Sequence, residues 1–257
     1  MDRAKVDYNQ IANTYHARYT GSKLDGIDSA LMELAGRNSA KSILEVGCGT
    51  GYWIESLRAK TFAKVFGLDA STGMLGKAAQ RLGHEGLVLA AANRLPFRER
   101  SFELLFCVNA LHHFDDPADF LMQAARLLIP GGVFAIIGID PRTVHRYHYE
   151  YFEGALELDL KRYPSYGQII DGLGRAGFAN VELRIVDPYD TYFTGKEIYQ
   201  DSFLDKPSNS LLALLSDETY TKGLQKIEEA IAANPMVQFH SKVDFGMITG
   251  RAPLSSR

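Results

Sequence analysis

Three glycines at alternate positions join an apolar strand pattern to a helical pattern within residues 43–53. At Gly47, Gly49 and Gly51 the backbone can turn tightly and approach a ligand, because glycine adopts positive φ and has no Cβ in the way. In an open α/β sheet this first turn lies at the carboxyl edge, where ligands bind. Tyr52 takes the place of the last glycine in the dinucleotide fingerprint, and no Gly-Lys-Ser/Thr follows for a Walker-type loop. The three glycines therefore predict a ligand-binding α/β sheet. Tyr52 and the missing Walker motif argue against a pyrophosphate-binding loop.

Apolar runs that alternate with helical patterns predict the rest of the sheet. Such runs are typical of a parallel sheet that is covered on both faces. We predict strands over residues 42–46, 63–68, 86–90, 102–108, 133–137, 181–186 and 243–249. We predict helices over residues 54–60, 118–128 and 166–176, and a wholly helical late insertion over residues 194–234. This order of elements predicts a doubly wound α/β fold.

Composition narrows the class of protein. The chain of 257 residues is 46% hydrophobic and 23% charged, which is typical of a globular domain. Its net charge of −3 gives no electrostatic footprint for a polyanion, so a nucleic-acid partner is not expected. The longest apolar stretch is too short to span a bilayer, and no secretory signal is visible, so a cytoplasmic enzyme is expected. Two cysteines cannot build a four-ligand zinc site, and no metal is predicted.

An acidic residue follows the glycine loop at an informative distance. Asp69 stands eighteen residues after Gly51, at the end of the second predicted strand. A carboxylate at this place can accept two hydrogen bonds from a ribose diol. The alternative is that Asp69 only caps the helix that follows. Together with the glycine loop, the ribose interpretation is favoured.

Five motifs between residues 42 and 139 stand in the order and spacing of one family. They are Glu45-Val46-Gly47-Cys48-Gly49-Thr50-Gly51, Gly67-Leu68-Asp69-Ala70-Ser71, Arg94-Leu95-Pro96-Phe97 with Ser101-Phe102-Glu103, Val108-Asn109-Ala110-Leu111-His112-His113-Phe114 and Leu128-Ile129-Pro130-Gly131-Gly132. The chain thereby resembles the class I S-adenosylmethionine-dependent methyltransferases, in particular the small-molecule group related to ubiquinone and menaquinone methyltransferases. The resemblance implies a Rossmann-like sheet of seven strands, mostly parallel with the last antiparallel. It also implies S-adenosylmethionine as cofactor and direct transfer of its methyl group to a small-molecule acceptor.

The resemblance implies cofactor roles residue by residue. The methionine part of the cofactor would be lined by Glu45, Gly47, Cys48 and Gly49. Gly51 would be a further cofactor-binding residue. Asp69 would hold the ribose hydroxyls, and Asn109 would lie beside the sulfonium. The adenine would be surrounded by Ala70, Met74, Ala91, Ala92 and Asn93. Ala91 departs from the family, which usually has an Asp there for the adenine amino group, so the side-chain oxygen of Asn93 or backbone groups would have to substitute.

The N-terminal residues resemble the opening helix of the family, which folds over the cofactor. Tyr15 and Arg18 are candidates to close the site, with Arg18 near the methionine carboxylate. Tyr8, Ile11 and Tyr15 also fit a simple packing stripe at helical spacing. We therefore expect a single methyltransferase domain over residues 1–257. It would comprise an N-terminal helical lid over residues 1–40, a cofactor-binding core over residues 41–140 and an acceptor-side half over residues 141–257.

Two histidines after the fourth predicted strand are the candidate catalytic residues. His112 and His113 would lie close to the methyl acceptor, where an imidazole can remove the proton of a nucleophile. Since adjacent side chains point differently, at most one is expected to face the pocket, and a structural role is the alternative. His145 and His148 could meet on one face of a helix, but no third ligand at a telling spacing completes a metal site.

An aromatic-rich stretch follows the fifth predicted strand. Its rings are Tyr147, Tyr149, Tyr151, Phe152, Tyr163 and Tyr166. In related enzymes this region and the late insertion shape the acceptor pocket, so we predict an aromatic-walled site for a small organic molecule. The alternatives are that these rings pack the insertion onto the sheet or form the face of a homodimer. A non-catalytic cofactor-binding module and a nucleotide-cofactor oxidoreductase stay open as rival functions.

Overall fold

One mixed sheet forms the centre of the molecule. The computed structural model describes residues 8, 9, 12 and 24–254, and this part of the chain contributes eight strands. The strands are β1 (Ser42–Val46), β2 (Lys64–Asp69), β3 (Leu87–Leu89), β4 (Phe102–Val108), β5 (Leu128–Gly138), β6 (His145–Arg146), β7 (Ala179–Thr194) and β8 (Gln238–Arg251). Strands β3, β2, β1, β4 and β5 lie side by side in parallel, and β8 runs antiparallel between β5 and β7. The predicted α/β fold class is confirmed, with the two-residue β6 as an addition beside β8.

Eight α-helices of the described residues surround this sheet. They are α1 (Asp25–Arg37), α2 (Tyr52–Lys60), α3 (Thr72–Leu82), α4 (Pro117–Leu127), α5 (Tyr147–Tyr151), α6 (Ala155–Arg162), α7 (Tyr166–Arg175) and α8 (Asp217–Ala233). Side-chain caps define the starts of two of these helices: the Ser71 side chain accepts a hydrogen bond from Met74 N, and Asp116 accepts one from Asp119 N.

Among the described residues, none of the helices combines the length and the apolar character that a membrane span requires.

Alternating residues of the central strands supply both faces of the core. Ile43, Leu104 and Val133 belong to the cluster that packs under α1 and α2. Leu44 and Leu105, their direct neighbours, belong to the cluster under α4 and α7. Successive side chains of a strand point to opposite faces, so the apolar runs bury both faces of the sheet.

The late insertion is less regular than the wholly helical segment that the sequence predicts. Only Asp217–Ala233 forms an α-helix, and three short 3-10 turns at Gly195–Gln200, Lys206–Ser208 and Leu212–Leu214 precede it. Around the second turn, Ser208 Oγ donates to Asp205 Oδ2. Such local side-chain hydrogen bonds compete with the α-helical ladder and favour turns.

Strands β7 and β8 continue past the carboxyl end of the parallel sheet. Gly138, the last residue of β5, pairs with Gly246, whereas residues 238–245 of β8 continue to pair with β7 beyond that point. The two strands therefore form a ribbon that carries the late insertion above the carboxyl edge. An apolar cluster that includes Tyr147, Phe152 and Phe239 joins α5 to this insertion. The ribbon thus brings residues from the second half of the chain to the edge where the glycine loop lies.

A carboxylate of β7 holds the start of α1. Asp187 Oδ2 accepts hydrogen bonds from Gly26 N at 2.9 Å and from Ile27 N at 3.2 Å, which satisfies donors that a helix N-terminus leaves without partners. We expect Asp187→Ala to lower the free energy of unfolding by about 1–2 kcal/mol, as measured by urea denaturation. The exposed Glu182→Ala on the same strand is expected to change it by less than about 0.5 kcal/mol. Equal effects of the two variants would contradict the capping role.

Candidate active site

A cavity of about 310 Å³ opens at the carboxyl edge of the sheet, and we call it the edge cavity. Its walls come from the ends of β1, β2 and β4 and from the loops that follow them, as expected for an open α/β sheet. The predicted cofactor residues that line it are Glu45, Gly47, Cys48, Gly49, Asp69, Ala70, Met74, Ala91, Ala92, Asn93 and Asn109. Residues that are up to 64 positions apart in sequence thus meet around one space.

Three predicted cofactor residues are not among those lining residues. Gly51 begins α2 with φ +79°, and a Cβ there would come within 2.6 Å of Leu82, so this glycine serves the packing of α2 against α3. Gly51 therefore lies outside the cavity wall, and its role in cofactor binding stays a prediction. Tyr15 and Arg18 lie outside the described residues.

Backbone hydrogen bonds hold the glycine loop against the end of β2. Gly47 N and Cys48 N both donate to Leu68 O, at 2.7 and 3.0 Å. Gly47 has φ +76°, and a Cβ on it would lie 2.5 Å from the Ala110 Cβ. The loop therefore needs glycine at this position for its backbone conformation and for its close approach to the chain after β4.

Asp69 connects the glycine loop with the start of α3. Its Oδ2 accepts a hydrogen bond from Gly49 N and its Oδ1 accepts one from Ser71 N, both at 2.8 Å. The helix cap is the Ser71 side chain, so the alternative that Asp69 merely caps α3 is wrong. A carboxylate has about four acceptor sites, so each oxygen of Asp69 can accept a further hydrogen bond from a ligand.

Two carboxyl groups give the edge cavity a preference for donors and cations. Glu45 is 1% exposed, and among the described residues its Oε2 has no hydrogen-bond partner. Burial, with the charge of Asp69 as a smaller cause, raises the pKa of Glu45 well above its usual range. Burial also raises the pKa of Asp69, while the N–H groups of Ser71 and Gly49 oppose that rise. An unpartnered buried carboxyl oxygen is costly, and a ligand that donates a hydrogen bond or brings a positive charge removes that cost.

A second cavity of about 120 Å³, which we call the ribbon cavity, adjoins the first. The two cavities share four lining residues, namely Tyr8, Asn109, His112 and His113. The polar side chains of the ribbon cavity include Arg146, His148, Asp201, Asn209, Ser210 and Ser241, and its aromatic walls include Tyr163, Tyr189, Phe193, Phe203 and Phe245. Most of these residues come from α5, the ribbon and the insertion.

Both candidate catalytic histidines stand on the wall between the cavities. Their ring centroids are 3.8 Å apart, and the His112 ring stacks on Tyr163, also at 3.8 Å. The Tyr8 hydroxyl is hydrogen-bonded to Nε2 of His113. The expectation that only one ring faces the pocket was wrong, because successive side chains of a 3-10 turn project about 120° apart and this turn, Leu111–His113, forms the dividing wall.

The aromatic stretch divides between packing and lining. Tyr163 is the ring of this group that lines the ribbon cavity. The Tyr166 hydroxyl instead accepts from Gly246 N and links β8 to β5, and the Tyr147 hydroxyl donates to Asp201 Oδ2 at 2.8 Å. The remaining rings, Tyr149, Tyr151 and Phe152, pack with Tyr147 in the apolar cluster of the insertion. Tyr163 therefore follows the pocket interpretation, and the other rings follow the packing alternative.

Several lining residues escape sequence reasoning. Asn9 lines the edge cavity, and its Oδ1 accepts hydrogen bonds from Ser71 Oγ and Gly73 N. Arg146 and Asp201 line the ribbon cavity, although neither belongs to a recognisable motif. His148 is buried there with a pKa lowered well below its usual range by burial, and no cluster of three metal-ligating side chains occurs in the described ranges.

Comparison with known proteins finds relatives of the half of the chain that contains the glycine loop. Residues 44–136 match the family model described as "Methyltransferase domain". The chain is 31% identical over 120 residues to a ubiquinone biosynthesis O-methyltransferase of Sodalis glossinidius, covering 44% of this chain and 48% of that relative. It is 30% identical over 141 residues to a malonyl-[acyl-carrier protein] O-methyltransferase of Hahella chejuensis, covering 51% and 50%. These matches span about half the length of each relative.

The fold has relatives among solved structures. A candidate methyltransferase from an antibiotic biosynthesis pathway of Anabaena variabilis superposes with a TM-score of 0.68 at 19% identity, covering 87% of this chain and 96% of that one. This likeness shows the fold of most of the chain, and the family match over residues 44–136 supports a class I S-adenosylmethionine-dependent methyltransferase domain with S-adenosylmethionine as its cofactor. The family match ends at residue 136, so most of the ribbon cavity is built from residues beyond it.

Proposed function

We propose that this protein transfers a methyl group from S-adenosylmethionine in the edge cavity to a small molecule in the ribbon cavity. The observation that carries the proposal is the shared wall of Tyr8, Asn109, His112 and His113, where a donor in one cavity can face an acceptor in the other. Asn109 stands at this junction with φ +49°, an uncommon conformation for a residue other than glycine. Such backbone conformations concentrate at functional sites.

The lining residues of the edge cavity fit the cofactor. The unpartnered Oε2 of Glu45 suits the ammonium group of the methionine part, and the remaining acceptor sites of Asp69 suit the ribose hydroxyls. Because Gly47 has no side chain, the loop backbone can lie close to the methionine part of the cofactor. Ala91 offers no side-chain acceptor at the adenine edge, and Asn93, which also lines the cavity, has an amide oxygen that can take its place.

For this reaction the protein mainly has to align the methyl donor with the acceptor. The bound cofactor supplies an activated methyl group, so holding donor and acceptor in line and excluding water provide much of the acceleration. His112 and His113 stand at the junction, where an imidazole can take the proton of an oxygen, nitrogen or carbon nucleophile. Stacking on Tyr163 orients the His112 ring, and the Tyr8 hydroxyl orients His113.

Cofactor binding is expected to release protons through Glu45. Burial raises the pKa of Glu45, and an ammonium group beside it favours the ionised carboxylate and lowers that pKa. The affinity for S-adenosylhomocysteine should therefore fall as the pH drops below the raised pKa and increase as the pH rises through it. Calorimetry in buffers of different ionisation enthalpy measures the released protons. In Glu45→Gln the release should disappear, and a release that persists in this variant would contradict the assignment.

Turnover tests the function itself. The protein is incubated with methyl-labelled S-adenosylmethionine and a panel of small aromatic alcohols, amines and acids. Label in an acceptor, lost in Asp69→Ala, would support methyl transfer. Tight cofactor binding with no transfer to any member of the panel would favour the alternative of a non-catalytic cofactor-binding module, for which Ala91 is the supporting feature.

A further inference from the structure

Two arginines, of which Arg162 is buried and Arg146 is largely buried, share one carboxylate beside the ribbon cavity. Arg146 Nη1 lies 3.3 Å from Asp159 Oδ2, and Arg162 Nη1 lies 3.2 Å from Asp159 Oδ1. The side chains of Arg146, Arg162 and Asp159 are only 12%, 4% and 1% exposed. Buried charges are normally paired, and one carboxylate balances only one of two guanidinium groups. Among these three side chains positive charge therefore exceeds negative charge by one, and Asp201 is a further carboxylate that interacts with Arg146.

Arg146 presents that excess charge to the ribbon cavity. It lines this cavity, whereas Arg162 lines the edge cavity and donates to Ser210, whose O and Oγ accept its hydrogen bonds at 3.5 and 3.4 Å. The Arg146 guanidinium lies over the Tyr149 ring at 5.6 Å, and within the described part of the chain Asp159 is its one carboxylate partner in an ion pair, although the group has five N–H donors. The planar fork of arginine matches a carboxylate in a bidentate geometry.

Asp201 brings a carboxylate, opposite in charge to Arg146, to the same cavity. Its Oδ2 accepts a hydrogen bond from the Tyr147 hydroxyl and its Oδ1 accepts one from Phe203 N at 2.9 Å. Within the described residues no ion pair joins Asp201 to Arg146. Burial lowers the pKa of His148, and burial raises the pKa of Asp201 while the charge of Arg146 opposes that rise. Arg146 and Asp201 thus bring groups of opposite charge to the cavity.

We propose that the methyl acceptor is a small aromatic molecule that carries a carboxylate group, and that Arg146 holds this carboxylate. The aromatic side chains of the cavity, among them Phe203 and Phe245, provide the wall for its ring. This inference rests on the proposed function, because it names the acceptor class of the same site. Arg146 and Asp201 both lie beyond the residues that match the family model, so the assignment concerns the part of the chain that the match leaves out.

Benzoate and benzamide test the inference, because they have nearly the same shape and differ in charge. Each is titrated into the full chain saturated with S-adenosylhomocysteine, and the affinity is measured by ligand-observed NMR. The wild type is expected to bind benzoate at least tenfold more tightly than benzamide. Arg146→Gln should remove this preference, Arg146→Lys should keep part of it, and Asp201→Asn should strengthen benzoate binding because a like charge is gone. Arg175→Gln, on an exposed residue of α7 that lines neither cavity, should change nothing.

Three results would overturn the inference: no benzoate binding by the wild type, equal binding of the two probes, or an unchanged preference in Arg146→Gln. Weaker benzoate binding in Asp201→Asn as well would also contradict it, since two opposite charges cannot both favour the same anion. The melting temperature and the S-adenosylhomocysteine affinity of each variant show that it is folded. If S-adenosylhomocysteine itself fails to bind the wild type, the proposed function is wrong. If it binds and benzoate is not preferred, only the acceptor assignment is wrong.

Discussion

Asp69→Ala is expected to weaken the binding of S-adenosylhomocysteine by about 10- to 100-fold. Hydrogen bonds to a charged group contribute about 1.5–3 kcal/mol, and about 1.4 kcal/mol corresponds to a tenfold change in affinity. The variant also removes the acceptor for Gly49 N and Ser71 N, so the glycine loop loses one of its hydrogen bonds to the end of β2. Calorimetry on the purified chain measures this loss.

Two further variants separate the ligand contact from the fold. Asp69→Asn keeps the size of the side chain and one acceptor oxygen, so it should lose less affinity than Asp69→Ala. Asp171→Ala, on the exposed side of α7, removes a carboxylate far from the cavity and should bind as the wild type does. An Asp69→Ala protein that binds S-adenosylhomocysteine with wild-type affinity would refute the ribose assignment.

Gly47→Ala is expected to damage both stability and cofactor binding. A left-handed conformation costs a residue with a Cβ about 1–2 kcal/mol, and here the Cβ would also lie 2.5 Å from the Ala110 Cβ, so the loop must shift. We expect the free energy of unfolding to fall by about 2 kcal/mol or more. The shift of the loop should weaken S-adenosylhomocysteine binding by more than about tenfold.

Gly76→Ala is the matched control for this change. Gly76 is an exposed residue of α3, and a Cβ there meets nothing within 4 Å. Alanine in a helix is more favourable than glycine by about 0.5–1 kcal/mol, so this variant should be slightly more stable and bind the cofactor normally. Urea denaturation and calorimetry compare the two proteins. If Gly47→Ala behaves like Gly76→Ala, the conformational role of Gly47 is wrong.

The cofactor-binding half could be predicted because its signals are local. Each parallel strand is a short apolar run, and the residues that follow it at the carboxyl end reach the ligand edge by the topology alone. Asp69 and Asn109 lie at the ends of β2 and β4 for this reason, and both line the edge cavity. Gly51 shows the limit of the motif, because its spacing is the same for a ligand contact and for helix packing.

The sequence predicts an acceptor site in this region, but most lining residues of the ribbon cavity could not be predicted, because they meet only through tertiary structure. Arg146 and Asp159 are 13 positions apart, and Asp201 follows 42 positions later, on an insertion that the ribbon carries to the edge. No periodic pattern marks the two-residue β6 on which Arg146 lies. Aromatic residues are equally suited to line a pocket and to fill a core, so their crowding could not separate Tyr163 from Tyr147.

The central claim is that the edge cavity binds S-adenosylmethionine and not a nicotinamide dinucleotide. Calorimetric titration of the purified protein with S-adenosylhomocysteine and, separately, with NADH tests it most directly. We predict micromolar binding of S-adenosylhomocysteine and at least a hundredfold weaker binding of NADH. No binding of S-adenosylhomocysteine, or a preference for NADH, would contradict the account.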